Sequence, residues 1–305
     1  MTLSRRFFLC GSGALALSAC VPPDQSPLGR MQATLRIIEA KAGGTLGVEI
    51  YDTQTGLSVG LNRDRRFGHC SSFKLSLAAM VLALDAAGES DASRRVTWTR
   101  DDLMHVSPFT EKRLDEGASL LELAEYTQKY SDNTAANVLL RELGGPAALT
   151  AFWRSIGDDV SRLDRTEPEL GNVPVTEYRD TTTPAAMART VAKLLYGDIL
   201  PEPSKAMLRQ WMIDTPTGRR RVRAGLPEGW VAGDKTGTST WPGMGSLYVD
   251  IGFVEPPEHP PITFATYYRA NETFEGMDPE SEAALASVGE VIEDFAKRGE
   301  SILPF

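Results

Sequence analysis

A serine and a lysine stand three positions apart in the string Ser71-Ser72-Phe73-Lys74. On a helix, residues at this spacing share one face, so Lys74 could take the proton of the Ser71 hydroxyl and make it a nucleophile. The same spacing is also typical of a serine beside a snorkelling lysine on a helix surface. Residues 75–84 are nearly all apolar, however, and predict a buried helix. Lys74 would then need a carboxylate, hydroxyl or amide partner, and burial would make it a better base than a surface lysine.

Three further strings carry groups that suit acyl transfer. They are Ser131-Asp132-Asn133, Glu167-Pro168-Glu169-Leu170 and Lys235-Thr236-Gly237. With the first string they indicate a hydrolase that acylates its own serine. Taken alone, Ser-Asp-Asn is also typical of a helix N-cap, and both interpretations can hold at once. Lys-Thr-Gly alone is a common strand-to-turn string, and a lone glutamate can be a capping or surface carboxylate.

Three of the four strings, those of Ser71 and Lys74, Ser131-Asp132-Asn133 and Lys235-Thr236-Gly237, match the signature of class A β-lactamases and penicillin-binding proteins. The sequence resembles class A from about Leu28 to its C-terminus, in the family's order and approximate spacing. Further matching strings are Ser107-Pro108-Phe109-Thr110-Glu111-Lys112, Asp132-Asn133-Thr134-Ala135-Ala136-Asn137, Arg179-Asp180-Thr181-Thr182-Thr183-Pro184 and Arg223-Ala224-Gly225-Leu226-Pro227. Chance does not account for so many ordered matches.

The resemblance implies how acylation would proceed. Ser71 would attack the lactam carbonyl, and the backbone N–H groups of Ser71 and Thr238 would hold the oxyanion. Ser131 would pass a proton to the leaving nitrogen. Asn133 would hold Lys74 and the side-chain amide of the substrate.

The resemblance also implies an Ω-loop over residues 165–180, closed by an ion pair between its end residues. Glu167 in this loop would activate the water that hydrolyses the acyl-enzyme. The family usually has asparagine after the leucine of Glu-Pro-Glu-Leu, whereas this sequence has Gly171 and then Asn172. The amide that normally shares the water is therefore displaced to Asn172 or absent.

The residues expected to bind the substrate carboxylate combine a positive charge with hydroxyl groups. They are Lys235, Thr236, Thr238 and Ser239. Arg221 matches a position from which some family members supply a second charge, with Arg219 and Arg220 as solvated alternatives beside it. Val106 stands where an aromatic residue usually forms one wall of the site.

Two other functions share parts of this signature. A penicillin-binding D,D-peptidase has the serine, the lysine and Lys-Thr-Gly but lacks a deacylating glutamate, so Glu167 favours the β-lactamase. A non-hydrolysing β-lactam sensor would acylate and stop, and Gly171 keeps this alternative open.

Composition excludes several other classes of protein. The chain has 305 residues, 42% of them hydrophobic, and a formal net charge of −9. An acidic chain without long Lys/Arg runs argues against nucleic acid or an anionic membrane surface as partner. The three histidines have no metal-ligand spacing, so we expect neither a metal site nor another cofactor. The expected partner is a small β-lactam, bound by a monomer.

The N-terminus is typical of an export signal. Residues 1–19 contain two arginines followed by an apolar run, which matches a twin-arginine signal. Leu17-Ser18-Ala19-Cys20 resembles a bacterial lipobox, so residues 20–27 would be a tether behind a lipidated Cys20, with ordinary cleavage nearby as the alternative. We therefore expect an exported, periplasmic protein with a membrane anchor.

Strands and helices at both ends, with helices between them, predict an α/β domain that carries an all-helical domain. The predicted strands are 45–51, 57–61, 230–235, 246–253 and 262–268, and the predicted helices are 28–41, 120–129, 132–143, 146–156, 183–196 and 280–297. The resemblance implies a two-domain fold with a five-stranded antiparallel sheet flanked by helices. We expect the α/β domain over 28–68 and 214–305 and the all-helical domain over 69–213. Cys70, the one cysteine of this folded part, is expected to be a small buried packing residue.

Overall fold

The computed structural model describes residues 24–299; the predicted signal segment 1–19 and Cys20 lie outside them. The α-helices are α1 (Pro27–Ala42), α2 (Phe73–Ala86), α3 (Leu120–Tyr130), α4 (Asn133–Glu142), α5 (Gly145–Ser155), α6 (Pro184–Tyr196), α7 (Glu202–Asp214) and α8 (Pro279–Gly299). The strands are β1 (Thr45–Asp52), β2 (Ser58–Leu61), β3 (Phe67–Gly68), β4 (Arg95–Val96), β5 (Ala118–Ser119), β6 (Thr181–Thr182), β7 (Val231–Ser239), β8 (Leu247–Glu255) and β9 (Ile262–Arg269).

The main sheet has five strands in the order β2-β1-β9-β8-β7, and every neighbouring pair is antiparallel. This confirms the predicted five-stranded antiparallel sheet. Helices α1 and α8 pack against each other and against the sheet, while α6 packs on the sheet from the side of the helical region. The short strands pair as β3 with β6 and β4 with β5, within or next to the helical region.

Strand β8 shows how the two sides of the sheet are filled. Val249, Ile251 and Phe253 belong to the core that contains α2 and α6, whereas Tyr248 and Val254 belong to the core that contains α1 and α8. Because side chains alternate between the two faces of a strand, a strand covered on both faces is apolar nearly throughout. The sheet is therefore the layer that joins the two cores.

Helix ends follow local signals in the sequence. The Ser26 side chain accepts a hydrogen bond from the Gly29 N–H at the start of α1, and Gly43 ends that helix in the left-handed conformation with φ 78°. Ser119 and Glu122 form a reciprocal capping box at the start of α3. These signals explain why the predicted boundaries of α1 and α3 lie within one residue of the observed ones.

Helix α2 is buried on every side over its first ten residues, from Phe73 to Leu82. This confirms the buried helix that the apolar run predicts. The helix packs against α3, α4, α5 and α7, so it is the central helix of the helical region. Its N-terminus lies at β7, because the turn Cys70–Ser72 that precedes it contacts that strand.

Three details differ from the sequence-based prediction. Strand β7 does not end at Lys235 but continues to Ser239, because its pairing with β8 continues through Ser239↔Leu247. Helix α7 was not predicted as a separate element; two of its first three residues are glutamate and proline, types favoured in a first helical turn. Ser71 lies not in α2 itself but in a 3₁₀ turn, Cys70–Ser72, that directly precedes it.

The arrangement of sheet and helices is that of a two-domain α/β fold, and the residue boundaries 28–68, 69–213 and 214–305 stay a prediction. Within residues 24–299, no helix is both long enough and apolar enough to cross a membrane.

We expect Gly289→Ala to destabilise the protein, because α8 packs directly on the backbone of the turn Val222–Gly225. A Cβ at Gly289 would lie 2.3 Å from the Val222 carbonyl oxygen and 2.9 Å from the Gly225 Cα. Overpacking of this kind costs about 1–3 kcal/mol, more than the roughly 1 kcal/mol that alanine gains over glycine in a helix. Urea unfolding would measure the loss. Gly276→Ala is the control, since a Cβ there meets no atom within 4 Å; equal losses in both variants would contradict the contact.

Candidate active site

Hydrogen bonds of the neighbouring residues His69 and Ser72 hold the backbone turn that carries Ser71. The Ser72 N–H and hydroxyl both donate to the His69 carbonyl, at 3.0 and 2.8 Å, and the His69 N–H donates to the Asp180 carbonyl at 2.9 Å. Cys70 lies in the left-handed region with φ 46°. Its thiol is buried, and burial raises its pKa to about 12, so Cys70 is the inert packing residue that the sequence predicts.

Lys74 is fully buried and makes polar contacts in several directions. Its Nζ lies 2.9 Å from Ser71 Oγ, 2.9 Å from Glu167 Oε1 and 3.1 Å from the Ser131 carbonyl oxygen. It also donates to Asn133 Oδ1. The surface interpretation of Lys74 is therefore wrong, and the predicted hydroxyl, carboxylate and amide partners are all present.

Ser131 stands between two lysines. It ends α3 in the left-handed conformation with φ 59°, and its Oγ is 3.4 Å from Lys74 Nζ and 3.1 Å from Lys235 Nζ. Lys235 is buried on β7, and burial, followed by the nearby charge of Lys74, lowers the pKa of Lys235 well below its usual value. The hydroxyl of Ser131 thus has a lysine Nζ on either side.

The cap interpretation of Ser-Asp-Asn is also confirmed. Asp132 is the N-cap of α4 and accepts a hydrogen bond from the Ala135 N–H at 2.8 Å. It accepts two more from the N–H groups of Phe109 and Thr110, both at 3.0 Å. Asp132 therefore fixes the α3–α4 junction, and the residues on either side of it face Lys74.

The segment that carries Glu167 is anchored at both ends. Arg165 Nε lies 2.5 Å from Asp180 Oδ2, which confirms the ion pair between the ends of the loop. Asn137 on α4 makes two hydrogen bonds with the backbone of Glu167, accepting from its N–H at 3.0 Å and donating to its carbonyl at 2.9 Å. The Glu167 carboxylate is held 3.4 Å from Ser71 Oγ.

Strand β7 passes very close to the nucleophile turn. A Cβ at Gly237 would lie 2.9 Å from the Ser71 nitrogen and 3.0 Å from the His69 carbonyl oxygen. Only glycine permits this approach, which explains the glycine of Lys-Thr-Gly. The approach places the backbone of Gly237, the neighbour of Thr238, against the Ser71 nitrogen.

A cavity of about 610 Å³ opens over these residues. The predicted site residues that line it include Ser71, Ser131, Asn133, Glu167, Thr236 and Thr238. Val106 also lines it, in the left-handed conformation with φ 62°, and its carbonyl accepts the Asn133 N–H at 2.9 Å. The cavity is large enough for a small bicyclic substrate with its side chains.

Arg221 lies on the cavity wall but is mostly behind β7, with 2% of its surface exposed. Its Nη1 donates to the carbonyls of Gly237 and Val249 at 2.8 and 2.6 Å, and its Nη2 donates to Thr238 Oγ1 at 2.7 Å. Backbone carbonyls therefore hold the Arg221 guanidinium in place, and its Nη2 reaches Thr238 on the cavity wall.

Two predicted substrate-binding residues are placed elsewhere. Ser239 Oγ donates to the Gly171 carbonyl at 2.8 Å, which ties β7 to the Ω-loop. The Asn172 carbonyl accepts from Arg165 Nη2 at 2.9 Å. Neither residue is among the described residues that line the cavity. Asn172 directly follows the 3₁₀ turn Glu169–Gly171 and does not line the cavity wall beside Glu167.

Comparisons with known proteins agree with this geometry. Residues 30–296 match the model of the β-lactamase enzyme family. β-Lactamase FAR-1 of Nocardia farcinica is 44% identical over 217 residues, which cover 71% of this chain and 69% of the relative. β-Lactamase OXY-2 of Klebsiella oxytoca is 42% identical over 231 residues, covering 76% and 78%.

Solved structures of other β-lactamases superpose closely on this chain. An ancestral class A β-lactamase (GNCA) is 45% identical, with a TM-score of 0.82 over 87% of this chain and 99% of that one. The chain belongs to the class A β-lactamase family. A β-lactamase from Xanthomonas campestris pv. campestris gives a TM-score of 0.83 at 37% identity, over 88% and 98% of the two chains. The protein is thus a serine β-lactamase that hydrolyses β-lactams.

Some residues of this β-lactamase site were not assigned from the sequence. Asn137 clamps Glu167, and its position four residues after Asn133 on one helix face is the signal that could have identified it. Thr217 shares a hydrogen bond of 2.7 Å with Thr236, across a sequence separation that no motif spans. His105 lines the cavity beside Val106.

Potential metal ligands are scattered in this β-lactamase. Over residues 24–299, no group of three or more histidine, cysteine, aspartate or glutamate side chains is arranged to hold a metal ion. The carboxylate nearest to Ser71, that of Glu167, is paired with Lys74.

We expect His69 to make the stability of the β-lactamase depend on pH. Its ring is fully buried, stacks on Trp153 at 4.9 Å, and has no hydrogen-bond partner among the described residues. Burial lowers the pKa of His69 to about 4 from an ordinary 6.5. The folded pKa lies below the unfolded one, so the free energy of unfolding is highest above pH 6.5. It falls by up to about 3 kcal/mol as pH decreases toward 4, because the unfolded state then binds a proton that the folded state does not.

The measurement is urea unfolding between pH 4 and 7.5 for the wild type and His69→Phe, which keeps an aromatic ring against Trp153. The variant should lose less stability over this range than the wild type. His259→Phe, which removes a histidine far from the site, serves as the control. An unchanged pH profile in His69→Phe would show that His69 binds protons equally in the folded and unfolded states, and it would contradict the lowered pKa.

Proposed function

We propose that Ser71 forms the acyl-enzyme of this β-lactamase and that Glu167 activates the water that hydrolyses it. The observation that carries the proposal is the convergence on Ser71 Oγ of the Lys74 amino group at 2.9 Å and the Glu167 carboxylate at 3.4 Å. A serine hydroxyl needs an adjacent base before it can attack, and both groups lie within reach of its proton. Lys74 Nζ and Glu167 Oε1 are themselves 2.9 Å apart, so a proton can be shared between them.

In acylation, Ser71 Oγ attacks the lactam carbonyl carbon while its proton passes to the Lys74–Glu167 pair. The N–H groups of Ser71 and Thr238 would stabilise the oxyanion, since β7 and the nucleophile turn lie side by side. The C–N bond of the lactam then breaks, and Ser131 Oγ gives its proton to the leaving nitrogen. Lys74 on one side of Ser131 can replace that proton.

The substrate carboxylate would bind at the β7 side of the cavity. Thr236 and Thr238 line the wall there, and Lys235 and Arg221 supply positive charge directly behind them. Charge-assisted hydrogen bonds to a carboxylate are the strong ones, and here both cations are already oriented by protein groups. Asn133 and Val106 would contact the side-chain amide at the other side.

In deacylation, a water molecule between Glu167 and the ester carbon would lose its proton to the carboxylate. The hydroxide equivalent attacks, the ester C–O bond breaks, and Ser71 Oγ recovers a proton. The placement of Glu167 beside Ser71 favours hydrolysis over the alternatives of a D,D-peptidase or a non-hydrolysing sensor. The loop is kept in place by Asn137 and by the Arg165–Asp180 ion pair.

We also propose that the enzyme is exported through its twin-arginine segment and anchored to a membrane by a lipid on Cys20. The lipobox string Leu17-Ser18-Ala19-Cys20 and the polar, proline-containing residues 21–27 support this assignment. A monomer that acts in the periplasm fits a small-molecule substrate.

We expect Glu167→Ala to acylate measurably with some substrates but to accumulate the acyl-enzyme, because it removes the base for water. General-base catalysis contributes about 100-fold or more, so deacylation should slow by at least that factor. Single-turnover kinetics and intact-protein mass after mixing with penicillin separate the two steps. Ser71→Ala is the control, which should show no turnover and no covalent adduct. Deacylation of Glu167→Ala at the wild-type rate would refute the role of Glu167.

We expect Gly171→Asn to alter deacylation and to speed it, because a water held by an amide and a carboxylate is better oriented than one held by a carboxylate alone. The backbone accepts a Cβ here, since one at Gly171 would make an ordinary contact of 3.4 Å with Ser239 Oγ. A change of about 1 kcal/mol in the barrier shifts the rate severalfold. The measurement is the deacylation rate, with Asn172→Ala as the control. A slowed Asn172→Ala would mean that Asn172 already supplies the amide.

A further inference from the structure

Positive charge is distributed unevenly around the substrate cavity. On the side of β7, the wall includes Arg219, Arg220 and Arg221. On the side of Asn133, the wall is formed by His105 and Val106, and the cavity residues described there include neither lysine nor arginine. Because the whole chain has a net charge of −9, a group of three arginines at one side of the cavity is a local reversal of its overall charge.

The acidic partner of these arginines is shared. Glu282, at the start of α8 and 5% exposed, lies 3.0 Å from Arg220 Nε and 3.5 Å from Arg221 Nε. One carboxylate cannot neutralise two guanidinium groups. Arg219 has neither an ion pair nor a side-chain hydrogen bond with any residue in 24–299, and it is exposed at the cavity. The β7 side therefore keeps an excess of positive charge after its internal pairing.

A singly charged substrate does not use all of this charge. Under the proposed function, the ring carboxylate is bound in front of Lys235 and Arg221, which are both buried. Arg220 is different, since 73% of its side chain is exposed, and it can turn its free guanidinium nitrogens toward the cavity while Nε stays near Glu282. Arg219 and Arg220 are thus left for a second negative charge next to the ring carboxylate.

We propose that Arg219 and Arg220 form a subsite for an anionic substituent and favour cephalosporins with a second negative charge at ring carbon 3. This carbon is bonded to the one that bears the ring carboxylate, so its substituent extends along the same side of the cavity. The acylamino group lies at the other end of the bicycle, where Asn133, His105 and Val106 form the wall. The inference rests on the proposed function, because the position of the ring carboxylate sets which end faces the arginines.

The position of the second charge gives the inference its specificity. A charge on the carbon-3 substituent should gain from the arginines, whereas the same charge on the acylamino group should not. Attraction between unit charges about 7 Å apart in a wet cavity corresponds to about a three- to tenfold effect on binding. This effect is electrostatic, so it should fall as salt screens it over the ~10 Å Debye length of 0.1 M salt.

The test compares two cephalosporins of nearly equal shape, one with a carboxyvinyl and one with a carbamoylvinyl group at carbon 3. The quantity is the ratio of their kcat/KM values at low ionic strength. We expect Arg219→Gln and Arg220→Gln each to lower this ratio about three- to tenfold, and about 0.5 M NaCl to remove most of the difference. Arg36→Gln, an exposed arginine on α1 away from the cavity, should leave the ratio unchanged.

A second pair of cephalosporins, with the carboxylate and carboxamide on the acylamino side, tests the side preference. Its ratio should not respond to either arginine substitution. Ratios within twofold of wild type in both arginine variants would refute the subsite, and so would equal losses for both pairs. If the substitutions acted only by disturbing Arg221, they would lower kcat/KM for both members of a pair and leave the ratio unchanged. That outcome would also refute the subsite.

Binding to Ser71→Ala separates this inference from the proposed function. The dissociation constants of the two carbon-3 cephalosporins can be measured by calorimetry with this variant, in which no acyl-enzyme can form on Ser71. If Ser71→Ala formed a covalent adduct or turned over either compound, the proposed role of Ser71 would fall. The ratio of dissociation constants, with and without Arg219→Gln, would still decide whether the arginines bind the second charge.

Discussion

The ammonium group of Lys74 is out of contact with water, and most of the site follows from the need to pair it. An unpaired buried charge is very costly, so Lys74 requires acceptors on several sides. Glu167, Asn133 and the Ser131 carbonyl supply them, and they come from two segments of the chain, the Ω-loop and the α3–α4 junction. The pairing therefore fixes the α3–α4 junction and the Ω-loop relative to α2, and the same contacts place a base beside Ser71.

The surroundings of Lys74 are supported in turn by groups that never touch substrate. Asp132 fixes the α3–α4 junction through backbone N–H groups, and Asn137 fixes the backbone of Glu167. Asp180 is fully buried; it pairs with Arg165 and accepts the N–H groups of Asp164 and Arg165. Short side chains that bond to backbone hold a loop more rigidly than flexible surface ion pairs do, because fewer rotamers must be fixed.

The sequence predicted those features that depend on local pattern. The apolar run after Lys74 indicated a buried helix, alternating and apolar segments indicated the strands, and four short motifs identified the acyl-transfer residues. It did not predict features that depend on which residues meet in space. The continuation of β7 to Ser239 depends on pairing with β8, and the contact of Ser239 with Gly171 depends on how the Ω-loop packs. The burial of Arg221 could not be predicted from the sequence either, because a run of three arginines is typical of a solvated surface.

One backbone hydrogen bond couples the two halves of the catalytic cycle. The His69 N–H donates to the carbonyl of Asp180, so the turn that carries Ser71 and the end of the Ω-loop that carries Glu167 are joined directly. An opening that detached the Asp180 end of the Ω-loop would have to break this bond. A local opening that detached the Ω-loop would therefore also release the nucleophile turn. Such an opening would disturb both the serine that attacks the substrate and the loop whose carboxylate lies beside it.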